Sequence, residues 1–178
     1  TFTSFTTPGT IYHYEGGSIG WTKQKSNTTY NLNAVWGTGP TNVWAAGWGG
    51  QLLRYNGKSW QPDKSGTYGA INGLWGTSAT DVYAVGSQGM MLRYDGAAWK
   101  SKAMGVKTGF KAIWGASASD VLVVGEGGLA LRYDGSVWSA PGGTNKDLRA
   151  VWGSSGTNVF TAGGGGRVEA GVQAVEAG

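Results

Sequence analysis

Residues Asn72–Trp99 read NGLWGTSATDVYAVGSQGMMLRYDGAAW, and the same pattern is written twice more without gaps. Asn33–Trp60 reads NAVWGTGPTNVWAAGWGGQLLRYNGKSW, and Lys111–Trp138 reads KAIWGASASDVLVVGEGGLALRYDGSVW. Two Trp series keep the period. One falls at Trp21, Trp60, Trp99 and Trp138, 39 residues apart; the other falls at Trp36, Trp75, Trp114 and Trp152, spaced 39, 39 and 38. A fixed period in the range of about 20–50 residues marks a repeat architecture. A fourth copy begins at Leu148 with LRAVWGSSGTNVFTAGGGGR and then loses the pattern. The N-terminus opens in mid-repeat with GTIYHYEGGSIGW over Gly9–Trp21, where Tyr14 matches Tyr55, Tyr94 and Tyr133 with two extra residues before the Trp.

Each copy reads as four short strands. Strand A ends at the Trp-Gly pair. Strand B is Val43–Ala46, Val82–Val85, Val121–Val124 or Val159–Ala162, rich in residues that favour extended backbone. Strand C ends at Tyr55, Tyr94 or Tyr133, and strand D carries the second Trp. Asn56-Gly57, Asp95-Gly96 and Asp134-Gly135 stand between C and D and predict type I′ hairpin turns. Asn42, Asp81, Asp120 and Asn158 precede strand B, where an Asx side chain caps its own turn. Helical periodicity is missing, and Gly and β-branched residues fill the elements.

A four-stranded antiparallel unit of about 40 residues is the blade of a β-propeller, and it must stack on neighbours to bury its faces. The chain therefore predicts an all-β, single-domain, four-bladed propeller. Residues 1–31 supply strands C and D of a composite blade; 32–69, 70–109 and 110–147 are complete blades; 148–166 supply strands A and B of the composite. The ring closes where the two ends meet. The rivals are an arc of a larger ring and a chain that pairs with another copy. The tail, 167–178, lacks the Tyr-Asp-Gly and Trp and is read as an extra edge strand or a loose end.

Composition narrows the function classes. Gly is 34 of 178 residues with no Gly-X-Y period, and ten Trp with eight Tyr argue against disorder. No apolar run approaches the roughly 18 residues that span a bilayer. The opening TFTSFTTPGT has neither a basic nor an apolar signal region. Cysteine is absent, which excludes disulfides and thiolate chemistry. The net charge of +4 is scattered, with no Lys/Arg stripe for nucleic acid.

The stretch WGTSATDVYAVGSQGMMLRYDGAAW resembles the short blades of bacterial BNR/Asp-box-like propellers. It is also similar to the repeats of photosystem assembly-factor propellers, where a Val-Gly turn is followed by an Asp-Gly turn and a Trp. The resemblance covers roughly residues 9–166. The full Asp-box, Ser-x-Asp-x-Gly-x-Thr-Trp, is not met: Arg93-Tyr94-Asp95-Gly96-Ala97-Ala98-Trp99 keeps only the Asp, Gly and Trp. The resemblance implies a secreted or membrane-attached binding module. Related sialidases need an Arg cluster and an acid/Tyr pair that this sequence does not assemble.

Catalytic and metal chemistry find no constellation. His13 is the only histidine and holds the slot of Arg54, Arg93 and Arg132, so it reads as framework and not as part of a triad. Asp81, Asp95, Asp120 and Asp134 are explained as turn formers, and each Asp-Gly turn offers a single carboxylate where calcium wants several oxygens. Asn27-Thr28-Thr29 matches a glycosylation acceptor, read as coincidence. No cofactor or metal is expected.

Binding residues are sought on the loops, which a rigid scaffold holds in place. Trp48, Gln88, Glu126 and Gly164 are read as one position of the B–C loop, and Tyr30, Tyr68, Lys107 and Lys146 belong to the D–A loops on the same face. The candidate ligand-binding set is Trp48, Tyr68, Gln88, Lys107, Glu126 and Tyr30. Trp48 leads it, because it sits among glycines where a core role is hard to supply. Arg54, Arg93 and Arg132 with Trp60, Trp99 and Trp138 form a repeated framework that also offers possible ligand contacts. Trp44, aligned with Tyr83, Leu122 and Phe160, is expected in the core or between blades. The reading is an exported, non-catalytic binding module, extracellular, periplasmic or at the cell surface. Carbohydrate recognition through the loop face is favoured; the alternative is a protein-interaction or assembly subunit on a larger, membrane-bound complex. Homo-oligomers are open, and neither nucleic acid nor a transmembrane segment is expected.

Overall fold

Short apolar runs cut by glycine turns leave the chain no option but to fold back on itself every few residues. The computed structural model describes residues 9–142 and 144–164, with the backbone of 168–170. The first strands, β1 (Ile11–Tyr14) and β2 (Trp21–Gln24), pair with each other. Three complete antiparallel sheets follow, each a meander in chain order. They are β3 (Leu32–Gly39), β4 (Asn42–Gly47), β5 (Leu52–Tyr55) and β6 (Trp60–Asp63); β7 (Ile71–Ser78), β8 (Asp81–Gly86), β9 (Met91–Tyr94) and β10 (Trp99–Lys102); and β11 (Phe110–Ser117), β12 (Asp120–Gly125), β13 (Ala130–Tyr133) and β14 (Trp138–Ser139). The last sheet holds β15 (Leu148–Ser155), β16 (Asn158–Gly163) and β17 (Val168–Ala170).

Successive sheets bury their facing sides against each other, so the core is a series of clusters between sheets. Trp44, Leu52, Ile71, Val82 and Leu92 fill the gap between the first and second complete sheets. Tyr83, Met91, Phe110, Val121 and Leu131 fill the next. Leu122, Val124, Leu148 and Val159 fill the third. Ala45, Leu53 and Trp60, with Ile11 against them, join the first complete sheet to β1–β2. Trp44 lies in the core as expected, fully buried and stacked on Trp36 with centroids 5.9 Å apart.

The spacing between sheets is set by indole on glycine. A Cβ on Gly76 would sit 2.8 Å from Trp36, one on Gly115 2.5 Å from Trp75, and one on Gly153 2.7 Å from Trp114. In each Trp-Gly pair the indole packs over the glycine of the next inner strand, and only a missing Cβ lets it come that close. Asn33 and Asn72 add a second tie, donating across the same gap to the carbonyls of Ile71 (3.0 Å) and Phe110 (2.7 Å).

Outer-strand Trp residues reach the sheet before. Trp60 Nε1 donates to Gln24 Oε1 at 3.1 Å and Trp99 Nε1 to Asp63 Oδ2 at 3.2 Å. The same offset puts Lys102 opposite Trp138, and an ammonium group cannot accept. The Trp138 Nε1 is accordingly buried with no partner, while the Lys102 Nζ lies 5.2 Å from the Tyr133 ring centre.

One expectation is corrected, and a second is not borne out among the described residues. The Asx-Gly turns are not type I′: Gly57, Gly96 and Gly135 have positive φ, but Asn56, Asp95 and Asp134 do not. Tyr55 pairs with Trp60, so the loop has four residues, and the Asn56 Oδ1 accepts the N–H groups of Lys58 and Ser59 at 2.9 Å. Asp95 and Asp134 do the same in their loops, the Asx side chain supplying the turn that a second positive φ would otherwise give. Nor does a composite sheet close the ring here. Among the described residues β1 pairs only with β2, and β16 pairs with β17. The tail is thus an edge strand over Val168–Ala170; residues 171–178 lie outside the described residues.

Gly115→Ala should cost about 1–3 kcal/mol by forcing Cβ into Trp75. Gly39→Ala, with nothing within 4 Å of its Cβ, should change stability by less than about 0.5 kcal/mol. Urea melts of the two variants measure the difference, and equal losses would remove the indole–glycine contact as the spacer. Lys102→Gln places an acceptor where Gln24 and Asp63 stand and should stabilise by about 0.5–1.5 kcal/mol. A thermal midpoint that stayed level or fell would show that Trp138 needs no acceptor.

Candidate functional site

Two faces run along the sheets, and they differ in what they leave free. On one, the Asx-Gly loops touch the turns before the second strands: Gly57 packs on Thr41, Gly96 on Thr80 and Gly135 on Ser119. The repeated arginines reach this end from the third strand. Arg54 donates to Asn42 Oδ1 through Nε and Nη2 at 3.2 and 3.0 Å and to the Tyr94 hydroxyl at 3.2 Å. Arg93 pairs with Asp81 at 2.7 Å. Arg132 holds Asp120 at 2.8 and 3.1 Å and the Gly156 carbonyl of the next sheet at 2.8 Å. Their guanidinium groups brace the framework. Trp60 and Trp99 are buried, so neither presents an open indole face, and Trp138 is half-buried. His13 is exposed, 3.2 Å from Glu15.

The opposite face carries the loops between second and third strands and between consecutive sheets. The first are short 3-10 turns, Trp48–Gly50, Ser87–Gly89 and Glu126–Gly128. The N–H that opens each donates to the carbonyl just before an inner strand: Trp48 to Asn31 (2.9 Å), Ser87 to Ala70 (2.9 Å), Glu126 to Gly109 (3.0 Å), and Gly164 to Asp147 (2.6 Å). This hydrogen bond defines the loop register and corrects the alignment. Ser87, not Gln88, stands where Trp48, Glu126 and Gly164 stand. Gln88 matches Gly49 and Gly127, sharing their left-handed backbone with φ of 58°, against 65° and 63°. Its side chain is exposed.

The loops between sheets are organised by Thr and Ser. The Thr28, Thr67 and Thr144 hydroxyls accept the N–H groups of Tyr30, Gly69 and Lys146, each at 3.1 Å. Tyr30 and Lys146 are therefore equivalent, and Tyr68 and Lys107 fall one residue earlier. The Tyr30 ring lies against Gly49, where a Cβ would meet it at 2.8 Å, so Tyr30 sits beside the Trp48 turn. The Gly50 carbonyl accepts the Ser65 hydroxyl at 2.7 Å, which holds the Tyr68 loop on the other side of that turn. Tyr30, Trp48 and Tyr68 thus stand on adjoining loops, 51%, 58% and 96% exposed.

Further along the face the chemistry changes to charge. Lys111 Nζ is 2.6 Å from Glu126 Oε1, and the Asp147 Oδ1 accepts the Gly127 N–H at 2.8 Å. The Lys111 ammonium, first by hydrogen bond and then by charge, holds the Glu126 carboxyl below its ordinary range. A shallow cleft of about 440 Å³ opens here, lined in part by Thr108, Glu126, Leu129 and Thr144. Lys107 and Lys146 are exposed nearby, as are Lys25 and Lys64 on the aromatic loops. Among the described residues none of these four forms an ion pair. Lys25 and Lys64 escaped sequence reasoning; the only signal was their shared place one residue before the Ser that ties each loop. Among the described residues no three His, Cys, Asp or Glu side chains gather as a metal site, and no helix is long and apolar enough to cross a membrane.

No family model and no curated protein matches the chain. Solved structures do. YCF48 from Cyanidioschyzon merolae superposes with a TM-score of 0.70 at 17% identity, over 90% of this chain and 62% of the other. A structure of YCF48 bound to D1 peptide gives 0.64 at 17% identity, over 92% and 59%. The fold is that of a β-propeller. This chain spans about three fifths of the length of those neighbours. The likeness supports the propeller part of the sequence resemblance and says nothing of Asp-boxes.

A depressed carboxyl pKa contributes stability above its unfolded value and loses it as pH falls through the folded one. The Glu126 carboxyl, followed by NMR, should titrate below its ordinary 4.5 and return towards it in Lys111→Met. An unchanged midpoint in the variant would remove Lys111 as the cause.

Proposed function

We propose that this chain is a non-catalytic interaction module that docks a protein segment on the face bearing Tyr30, Trp48 and Tyr68. The observation that carries this reading is the exposure of three aromatic side chains on adjacent loops whose backbones are pinned by hydrogen bonds. Burying rigid aromatic groups on a partner costs little side-chain entropy, and such residues dominate binding energies at interfaces. A YCF48 propeller with a bound peptide supports a polypeptide partner over a sugar. The favoured sequence reading, carbohydrate, gains no such support.

The repeated groups argue the same way. A multivalent lectin of equivalent sites needs the same open residues in every repeat. Here the equivalents of Trp48 are Ser87, Glu126 and Gly164, and those of Tyr68 are Lys107 and Asn145. The face offers one aromatic patch, not a set of copies.

The test is selection from a peptide-display library on the purified chain, followed by titration of the selected peptides against Trp48→Ala and Tyr68→Ala. Each variant should weaken binding by at least about tenfold, the scale of an interface anchor. Peptides that bind both variants unchanged would exclude this face. A glycan array run beside it decides the rival: sugar binding lost in Trp48→Ala would move the patch to carbohydrate.

A further inference from the structure

Each loop that joins one sheet to the next carries a single exposed lysine: Lys25 before β3, Lys64 before β7, Lys107 before β11 and Lys146 before β15. Among the described residues none of these ammonium groups has an ion-pair or hydrogen-bond partner. The lysines do not share one position. Lys25 and Lys64 stand one residue before Ser26 and Ser65, whose hydroxyls donate to the carbonyls of Gly9 and Gly50. Lys107 takes the place that Tyr68 has in its loop, and Lys146 the place of Tyr30. The framework groups of this chain recur at a fixed position together with a partner that recurs with them. These lysines recur as charge alone, so the fold itself gives them no task.

The carboxylates at the same end of the sheets are already engaged. Asp63, the last residue of β6, accepts the Trp99 Nε1–H at 3.2 Å and the Lys64 N–H at 2.8 Å. Glu126 holds the Lys111 ammonium at 2.6 Å and accepts the Gly109 N–H at 3.4 Å. Asp147 accepts the Gly127 N–H at 2.8 Å. Glu15, Asp81, Asp95, Asp120 and Asp134 lie at the opposite end, in or beside the turns on the Asx-Gly face. The loop face thus uses its anions internally and leaves its cations open. Two of those cations stand on the loops of Tyr30 and Tyr68, and Ser65 ties the Lys64 loop to the Trp48 turn.

We infer that the segment docked on Tyr30, Trp48 and Tyr68 is an acidic stretch of polypeptide, with an apolar side chain on the aromatic groups and Asp or Glu on either side facing Lys25 and Lys64. Further carboxylates run towards Lys107 and Lys146. The inference rests on the docking role proposed above and adds the chemistry of the partner. Exposed lysines contribute little binding energy singly, but their summed field speeds the approach of an anionic segment and rejects a cationic one. The carboxylates of Asp63, Glu126 and Asp147 stand on the same face as the lysines and favour a peptide over nucleic acid or a lipid surface. A phosphate backbone or an anionic bilayer presents charge at every step and meets those carboxylates as well as the lysines. A peptide places its acidic residues opposite the lysines and neutral ones opposite the carboxylates.

The experiment separates charge from aromatic anchoring. Peptides selected from the display library on the unmodified chain should carry Asp or Glu on both sides of an apolar residue. Their association rate should fall at least about fivefold in Lys25→Glu/Lys64→Glu, by a factor that shrinks as salt is raised, whereas Trp48→Ala should act mainly on dissociation. Lys58→Glu reverses a charge on the opposite face and should leave both rates unchanged. Replacing the acidic residues of a selected peptide by Lys should abolish binding to the unmodified chain and restore it to Lys25→Glu/Lys64→Glu. That rescue also shows the double variant to be folded, and its failure would overturn the pairing. Selected peptides that need Trp48 but are neutral or basic, or that bind the double variant as fast as the unmodified chain, overturn the acidic partner and leave the docking role standing. A library that yields no peptide dependent on Trp48 removes the docking role and this inference together. Oligothymidylate or phosphatidylserine vesicles, bound more tightly than any selected peptide and lost in the double variant, would overturn the polypeptide in favour of a phosphate-bearing partner.

Discussion

An indole lying on a bare Cα decides how far apart the sheets of this protein stand. Trp36, Trp75 and Trp114 each cover a glycine one repeat further on, at distances that no Cβ allows. The period of the chain follows from that contact. Every repeat must deliver its own Trp to the next sheet and its own Gly to the previous one, and the Trp-Gly dipeptide does both in adjacent residues. The single departure from 39 residues, before Trp152, falls between Trp138 and Leu148, where β14 has two residues and the equivalent strands have four. The shortening is absorbed in an outer strand, away from the spacer.

Once the spacing is set, the polar groups that recur in every repeat are committed to it. The arginines grip the Asx residue at the start of the second strand, the Asx-Gly side chains hold their own loops, and the outer Trp N–H groups reach back one sheet. Recurrence is therefore evidence of framework, because each of these groups has a partner that recurs with it. Where the partner fails to recur the defect is visible: at Lys102 the acceptor is replaced by a cation and Trp138 loses its hydrogen bond. The residues left over for recognition are those whose identity changes from repeat to repeat on a fixed loop backbone.

Much of this was legible in the sequence, for reasons that can be named. Val43–Ala46 and its equivalents lie within β4, β8, β12 and β16, because β-branched and aromatic residues between glycine turns leave the backbone one extended choice. The four-residue loop at Asn56 was not legible from the Asn-Gly pair alone, since it depends on Tyr55 pairing with Trp60. Reading Gln88 with Trp48 and Glu126 is one residue out of register, because the sequence does not display the N–H that anchors each turn. A glutamine at a position where two other turns have glycine hid the match. The clustering of Tyr30, Trp48 and Tyr68 was only half visible: composition picked each residue, but their adjacency rests on Tyr30 packing over Gly49 and Ser65 binding the Gly50 carbonyl.

The loop face also has a direction. Its aromatic stretch belongs to the loops around the first complete sheet, and its charged stretch, with the Lys111–Glu126 pair and Asp147, belongs to the third and fourth. All of these side chains stand on backbones tied by the same hydrogen bonds, so the loops are equivalent in shape and differ in chemistry. A partner laid along this face meets aromatic surface first and charge second, at a spacing fixed by the sheets beneath. The ammonium groups of Lys25 and Lys64, which form no ion pair among the described residues, flank the aromatic stretch and on the proposed docking role would favour carboxylates beside the apolar group it buries. On the proposed docking role, the orientation of a partner would be set by which repeat carries which loop residue, and the indole–glycine spacer that sets the period would also set the spacing a partner meets.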